Sequence, residues 1–159
     1  MGLRKILTYK DPALHKVCRP VEKFDWRLHK LLNDMTETLL QADGVGLAAP
    51  QVGILRRAVI VDTGEEMLEL VNPELVETSG EQCGAEGCLS VPGKYGLVKR
   101  PNYAKVRAQN RNGEWFDAKI QACGQLSAKS LVSPVLRGYF TISGMREQCD
   151  FWRIALVFR

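Results

Sequence analysis

Residues 25–51 read DWRLHKLLNDMTETLLQADGVGLAAPQ, and this stretch decides how the chain is organised. Between positions 25 and 42, large apolar residues recur at the spacing of one helix face, which predicts an amphipathic helix. That stripe consists of Leu28, Leu31, Leu32, Met35, Leu39 and Leu40. Asp43-Gly44 then ends the helix, with Gly44 as the expected left-handed cap. A glycine-rich run, Gly44 to Gln51, follows at once.

Short strand-like runs surround this helix. They are predicted at 58–61, 68–71, 97–98, 105–109 and 115–120. The last two are joined by Asn110 to Gly113, a good hairpin turn, and Pro92-Gly93 predicts a turn before 97–98. The first twenty residues read as an extended segment with turns. We therefore expect an α+β fold of short, largely antiparallel strands around a central helix, with a second helix late in the chain.

Bulk composition is that of one globular domain. The chain has 159 residues, 45% of them hydrophobic, and a net charge of only +4. Its Lys/Arg doublets are isolated, which favours a solvated surface over DNA contact. No apolar run approaches the roughly 18 residues of a membrane helix, and no secretory signal is recognisable. The five cysteines, none in a C-x-x-C pair, then predict reduced thiols in a cytoplasmic protein.

Gln51 and Cys88 are the two residues with chemical potential. Pro50 fixes the backbone ahead of Gln51, whose amide could then bind a developing oxyanion. The alternative is a surface glutamine on a glycine-rich turn. Cys88, in Glu86-Gly87-Cys88-Leu89-Ser90, could be a thiolate metal ligand or a buried small apolar residue. Spacing alone leaves both pairs of alternatives open.

Taken as strings, Gly44 to Gln51 and Glu86 to Ser90 resemble two of the three signature motifs of the bacterial peptide deformylase family. The resemblance covers about residues 3 to 119. It implies that Gln51 and the Leu89 amide bind an oxyanion, and that Cys88 binds a divalent metal such as iron or zinc. It further implies that Val45, Gly46 and Gly87 line a cleft for N-formyl-methionyl peptides of nascent chains, near the ribosome.

The family's third motif, H-E-x-x-H, does not occur in the sequence. Its two histidines would lie on one helix face and bind the metal with the cysteine, and its glutamate would act as the base. The corresponding positions here are Ser133, Pro134 and Arg137. None of these residues can replace the histidines or the base. The only histidines, His15 and His29, are expected to be surface residues far from the site.

Three functional hypotheses follow from this mixture. The first is a deformylase-family chain that is inactive as written and does not bind metal stably. The second is a module that binds peptide N-termini without cleaving them. The third is a hydrolase with rebuilt ligands, drawing on Glu147, Cys149 or Asp150. In each case we expect a monomeric, cytoplasmic protein with one domain over residues 1–159, of which 120–159 form a divergent or frame-shifted tail.

Overall fold

The computed structural model describes residues 2–121 and 140–141, and its central element is a helix, α1, spanning Trp26–Gln41. The side chain of Asp25 accepts hydrogen bonds from the amides of Arg27 (3.0 Å) and Leu28 (3.3 Å). These bonds satisfy two donors that a helix start leaves unpaired. The predicted apolar stripe is buried except for Leu40, which is 60% exposed. At 100° per residue, Leu40 is turned away from the face that carries its neighbours.

The end of α1 differs from the prediction. Asp43, not Gly44, adopts the left-handed conformation, with a φ of 48°. Asp and Asn tolerate this region better than other residues with a Cβ. Gly44 serves another purpose, because a Cβ there would lie 2.7 Å from a methyl carbon of Leu89 and 2.8 Å from one of Leu39. The glycine permits close packing rather than a special backbone angle.

The described strands form two antiparallel sheets, which confirms the predicted α+β class. Their bounds are β1 Gly46–Ala48, β2 Ala58–Asp62, β3 Met67–Ser79, β4 Gln82–Cys88, β5 Val91–Arg100, β6 Tyr103–Gln109, β7 Trp115–Gln121 and β8 Phe140–Thr141. One sheet has the strand order β1-β2-β3-β6-β7, and the other has the order β4-β5-β8. The hairpin predicted between β6 and β7 is confirmed, with Gln109 paired to Trp115.

Two strands, β3 and β5, extend far beyond their predicted bounds. β3 continues past Asn72 and Pro73 because register shifts accommodate them, and Asn72 takes a φ of 50°. β5 begins at Val91, so the chain reverses at Leu89-Ser90 and not at Pro92-Gly93. Residues 92–94 instead form an irregularity within the hairpin, where Gly93 has a φ of 73°.

The five-stranded sheet is buried on both faces around β2. One face packs against α1 through Ile60 and Val71, while Val59 and Val61 pack on the opposite face with β6 and β7. Within the described residues, no helix is both long and apolar enough to cross a membrane. The predicted late helix falls on residues that the structure does not describe, as does most of the tail.

Candidate functional site

The opening segment, residues 2–20, contacts both motif loops, Gly44 to Gln51 and Glu86 to Ser90. The amide of Leu7 donates to the carbonyl of Gln51 at 2.7 Å, and the amide of Tyr9 donates to the carbonyl of Ser90 at 2.9 Å. A single extended segment thus lies between the glycine-rich run and the cysteine motif. The fold brings together the two strings that the sequence keeps far apart.

Gln51 is buried and fixed, which removes the alternative of a surface glutamine. It lies in a short 3₁₀ helix, Ala49–Val52, and its residue is 4% exposed. Its Oε1 accepts a hydrogen bond from the Ala48 amide at 2.9 Å, and its Nε2 donates to the hydroxyl of Ser90 at 3.0 Å. Nε2 also lies 3.9 Å from the sulfur of Cys88. The carboxamide is therefore held at both ends and directed towards the cysteine.

Cys88 ends β4, immediately before the chain reverses. Burial raises the pKa of its thiol above the ordinary value, and hydrogen bonds from the backbone amides of Ser90 and Val91 oppose that rise only in part. A thiol in this environment is protonated at neutral pH unless a cation stabilises the thiolate. The backbone amides nevertheless give the sulfur a fixed direction.

The other predicted site residues lie on either side of Gln51 and Cys88. Val45 is anchored because its carbonyl accepts from the amide of Asp62 at 2.8 Å, and Gly46 pairs with Val61 in β1. In the cysteine motif, Gly87 lies against the ring of Tyr95, where a Cβ would approach to 3.2 Å. Leu89 occupies the turn between β4 and β5, and its side chain packs on Gly44.

Both histidines are engaged elsewhere. The ring Nε2 of His15 lies 3.1 Å from the carbonyl oxygen of Tyr9, and His15 is exposed as predicted. His29 is half-buried rather than a plain surface residue, with its Nε2 2.8 Å from the carbonyl oxygen of Arg111. Both histidines of the sequence therefore have one ring nitrogen engaged by a backbone carbonyl.

The donors around Cys88 do not fit a metal centre of one cysteine and two histidines. Within residues 2–121 and 140–141, no three His, Cys, Asp or Glu residues are grouped so that they could hold a metal ion. A catalytic zinc site uses three protein ligands and keeps one position open. The positions of Ser133, Pro134 and Arg137 lie outside the described residues, as do Glu147, Cys149 and Asp150.

Ser90 is the participant that sequence reasoning missed. It is fully buried and contacts Gln51 through its hydroxyl and Tyr9 through its carbonyl. Glu86, in the same motif, is also buried, at 6% exposure. The only sequence signal for Ser90 was its place in the Glu86 to Ser90 string, because a serine in a turn is otherwise commonplace.

Sequence comparisons identify the family that this chain resembles. The family model for polypeptide deformylase matches residues 3–127. A peptide deformylase of Alkaliphilus metalliredigens is 54% identical over 117 residues, 74% of this chain and 80% of the relative. One from Clostridium botulinum is 55% identical over 121 residues, 76% of this chain and 82% of the relative.

Solved structures give the same answer for the fold. The crystal structure of peptide deformylase from Thermotoga maritima superposes with a TM-score of 0.73 at 39% identity, covering 76% of this chain and 82% of that one. A peptide deformylase structure from Legionella pneumophila gives 0.73 at 44% identity, covering 79% and 75%.

Proposed function

Because this chain belongs to the polypeptide deformylase family, we propose that it keeps the part of a deformylase site that holds a formyl-methionyl peptide but does not hydrolyse it. The family reaction is hydrolytic removal of formyl from the N-formyl-methionine of nascent polypeptides. Holding the substrate and activating a water are separate tasks, and this chain has residues for the first only.

The substrate-holding part consists of two donors and a cleft. The Gln51 Nε2 and the Leu89 amide are proposed to donate to the formyl oxygen, where negative charge develops in the reaction. The first loop residue of a tight hairpin turn takes no part in the ladder, which leaves the Leu89 amide suited to this task. Val45, Gly46 and Gly87 are proposed to line the cleft, because they belong to the two strings that match the motifs of the family.

The hydrolytic part is proposed to be missing. The family is one of metalloenzymes, in which a divalent ion such as iron or zinc supplies an activated water. In this chain Cys88 is the one matching ligand, and one observation carries the proposal: the ring Nε2 of His15 lies against the carbonyl of Tyr9, and that of His29 against the carbonyl of Arg111. No residue matches the glutamate base either, because Pro134 occupies its position. We infer that a metal is not stably bound.

Formate release tests this proposal directly. The purified full chain would be reconstituted anaerobically with Fe²⁺, Zn²⁺, Ni²⁺ or Co²⁺, desalted, and incubated with a formyl-Met tripeptide. The expected result is substoichiometric metal and no formate above background. Cys88→Ser and the exposed Cys83→Ser form a matched pair. Chelator-sensitive formate release that Cys88→Ser abolishes and Cys83→Ser retains would contradict the proposal and favour rebuilt ligands such as Glu147.

The second candidate takes the retained peptide binding as the function itself: a module that binds peptide N-termini without cleaving them. It is favoured by the Gln51 carboxamide, whose orientation depends on Ala48 and Ser90 and needs no metal. Calorimetry should then give a measurable affinity for a formyl-Met tripeptide and a weaker one for the same peptide with a free amine. Absence of heat with both peptides would eliminate this candidate.

The remaining expectations about the chain are also proposals. We propose that residues 1–159 act as one domain with a divergent tail over 120–159, as a monomer in the cytoplasm. The proposed partner is a nascent formylated peptide near the ribosome rather than DNA or a membrane, and the mild net charge of +4 supports this choice over nucleic acid. Size-exclusion chromatography with light scattering tests the monomer.

A further inference from the structure

We propose that Ser90 is a positioning residue: its hydroxyl fixes the plane of the Gln51 carboxamide so that one N–H bond stays directed into the site. This inference rests on the proposed function, in which Gln51 receives the formyl oxygen. It adds a residue whose effect is exerted through Gln51, without contact with the peptide.

A glutamine side chain has two orientations of nearly equal shape, with the oxygen and nitrogen exchanged. The Ala48 amide chooses between them here, because it donates to Oε1 at 2.9 Å and would clash electrostatically with an NH₂ group. Nε2 is thereby directed to the side of Cys88 and Ser90. One contact at the oxygen end still leaves rotation about the terminal torsion, which is broad in glutamine.

The Ser90 hydroxyl limits that rotation. It lies 3.0 Å from Nε2 and takes one of the two N–H bonds. The second N–H is left on the side of the cysteine, whose sulfur is 3.9 Å from Nε2. An amide held at both ends has lost its torsional freedom before any ligand arrives, which is the condition for a preorganised oxyanion donor.

Ser90 is itself held in place and shielded from solvent. The residue is fully buried, so water cannot readily replace its hydroxyl. Its carbonyl accepts from the Tyr9 amide at 2.9 Å, which anchors the turn to the opening segment. Removing the hydroxyl would leave a buried N–H of Gln51 without its acceptor, and the carboxamide would turn to find another.

Nuclear magnetic resonance tests the positioning without a ligand. In the ¹⁵N-labelled full chain, the Gln51 side-chain amide is identified by its loss in Gln51→Glu. We expect one of its protons to be protected from solvent exchange and close to Ser90. In Ser90→Ala this proton should exchange about tenfold faster, while Ser79→Ala, at an exposed serine, should leave it unchanged. Unchanged Gln51 signals in Ser90→Ala would overturn the proposal.

Ser90→Cys provides a second variant in case the alanine variant does not fold. Its weaker acceptor should give intermediate exchange of the same proton. Exchange in Ser90→Cys that equals the wild-type rate would count against the hydroxyl as the positioning group.

Peptide binding provides a second test of this proposal. Calorimetry with a formyl-Met tripeptide should give an affinity about three- to tenfold weaker for Ser90→Ala than for the wild type. In a Gln51→Ala background, Ser90→Ala should not weaken the affinity further, because its effect is exerted through Gln51. An equal loss in both backgrounds would mean that Ser90 supports only the fold, which overturns the proposal. If the wild type gives no heat, peptide binding fails, but the resonance experiment still decides the role of Ser90.

Discussion

Replacing Asp34 with asparagine should loosen the opening segment and, through it, both motif loops. Asp34 lies on α1 with its side chain 4% exposed. One carboxylate oxygen accepts from the amide of Gly2 at 3.0 Å, and the other from the guanidinium of Arg4 at 3.0 Å and 3.2 Å. Lys30 adds a contact at 3.1 Å from one helical turn earlier.

The expected loss follows from these contacts. Asparagine keeps the shape and can still accept from Gly2, but its NH₂ group would face the donors of Arg4. Lys30 is half exposed and contributes little. Hydrogen bonds to a charged group contribute about 1.5–3 kcal/mol, so we expect Asp34→Asn to lower the free energy of unfolding by about 2 kcal/mol. The melting temperature should fall by roughly 4–8 °C.

Urea unfolding and hydrogen exchange measure the two parts of this prediction. The unfolding midpoint should fall, and the amides of Leu7 and Tyr9 should exchange faster, because the segment they belong to is no longer held at its start. Asp117→Asn is the matched control, since Asp117 also pairs with a lysine, at 2.8 Å, but on the exposed face of β7. If both variants unfold at the wild-type midpoint, the contacts of Asp34 with Gly2 and Arg4 do not stabilise the fold.

Three further predictions concern neighbouring groups. Burial would raise the pKa of Asp34, but hydrogen bonds from Lys30, Gly2 and Arg4 outweigh it and hold the pKa below its ordinary 3.8. The ionised carboxylate therefore contributes its full stabilisation of the fold above that value. As the pH falls from about 4 to 2, the difference in unfolding free energy between wild type and Asp34→Asn should vanish, and a constant difference in acid titrations would contradict this. Maleimide labelling at pH 8, followed by peptide mass spectrometry, should modify exposed Cys83 before Cys88 and Cys18, since burial raises the pKa of both latter thiols, that of Cys18 to about 11; equal rates would refute it. Gly44→Ala should lower the free energy of unfolding by about 1–2 kcal/mol, because its Cβ would press on Leu89 and buried Leu39, whereas a Cβ at Gly2 meets nothing within 4 Å; equal urea midpoints for Gly44→Ala and Gly2→Ala would show that the packing yields freely.

Local patterns in the sequence predicted the elements that depend on local chemistry. The helix periodicity placed α1 to within a residue at each end, and Asn110 to Gly113 predicted the β6–β7 hairpin. Both depend on residues within a few positions of each other. The resemblance of the two strings to a known family predicted which fold within the α+β class the chain adopts.

Features that depend on distant partners could not be predicted in this way. No local pattern indicated that β3 would continue past Pro73, where the side chain of Asn72 bonds both backbone groups of the distant Val21 at 2.8 Å. The turn at Leu89-Ser90 was misplaced to Pro92-Gly93, since a glycine with positive φ suits a bulge as well as a turn. The hydrogen bond between the Gln51 and Ser90 side chains joins residues 39 positions apart, and no periodicity in the sequence predicts such a pair.

The bonds from Leu7 and Tyr9 also have a consequence for how the molecule is made. Leu7 and Tyr9 are synthesised before their acceptors, which lie in two later loops, the second of them more than half the length of this chain away. Contacts of such long sequence separation carry a loop-closure cost and form late. During translation the opening segment therefore has no native acceptor until Ser90 has emerged. Assembly of the site should be a closing event of folding, sensitive to any bulky extension fused ahead of residue 2.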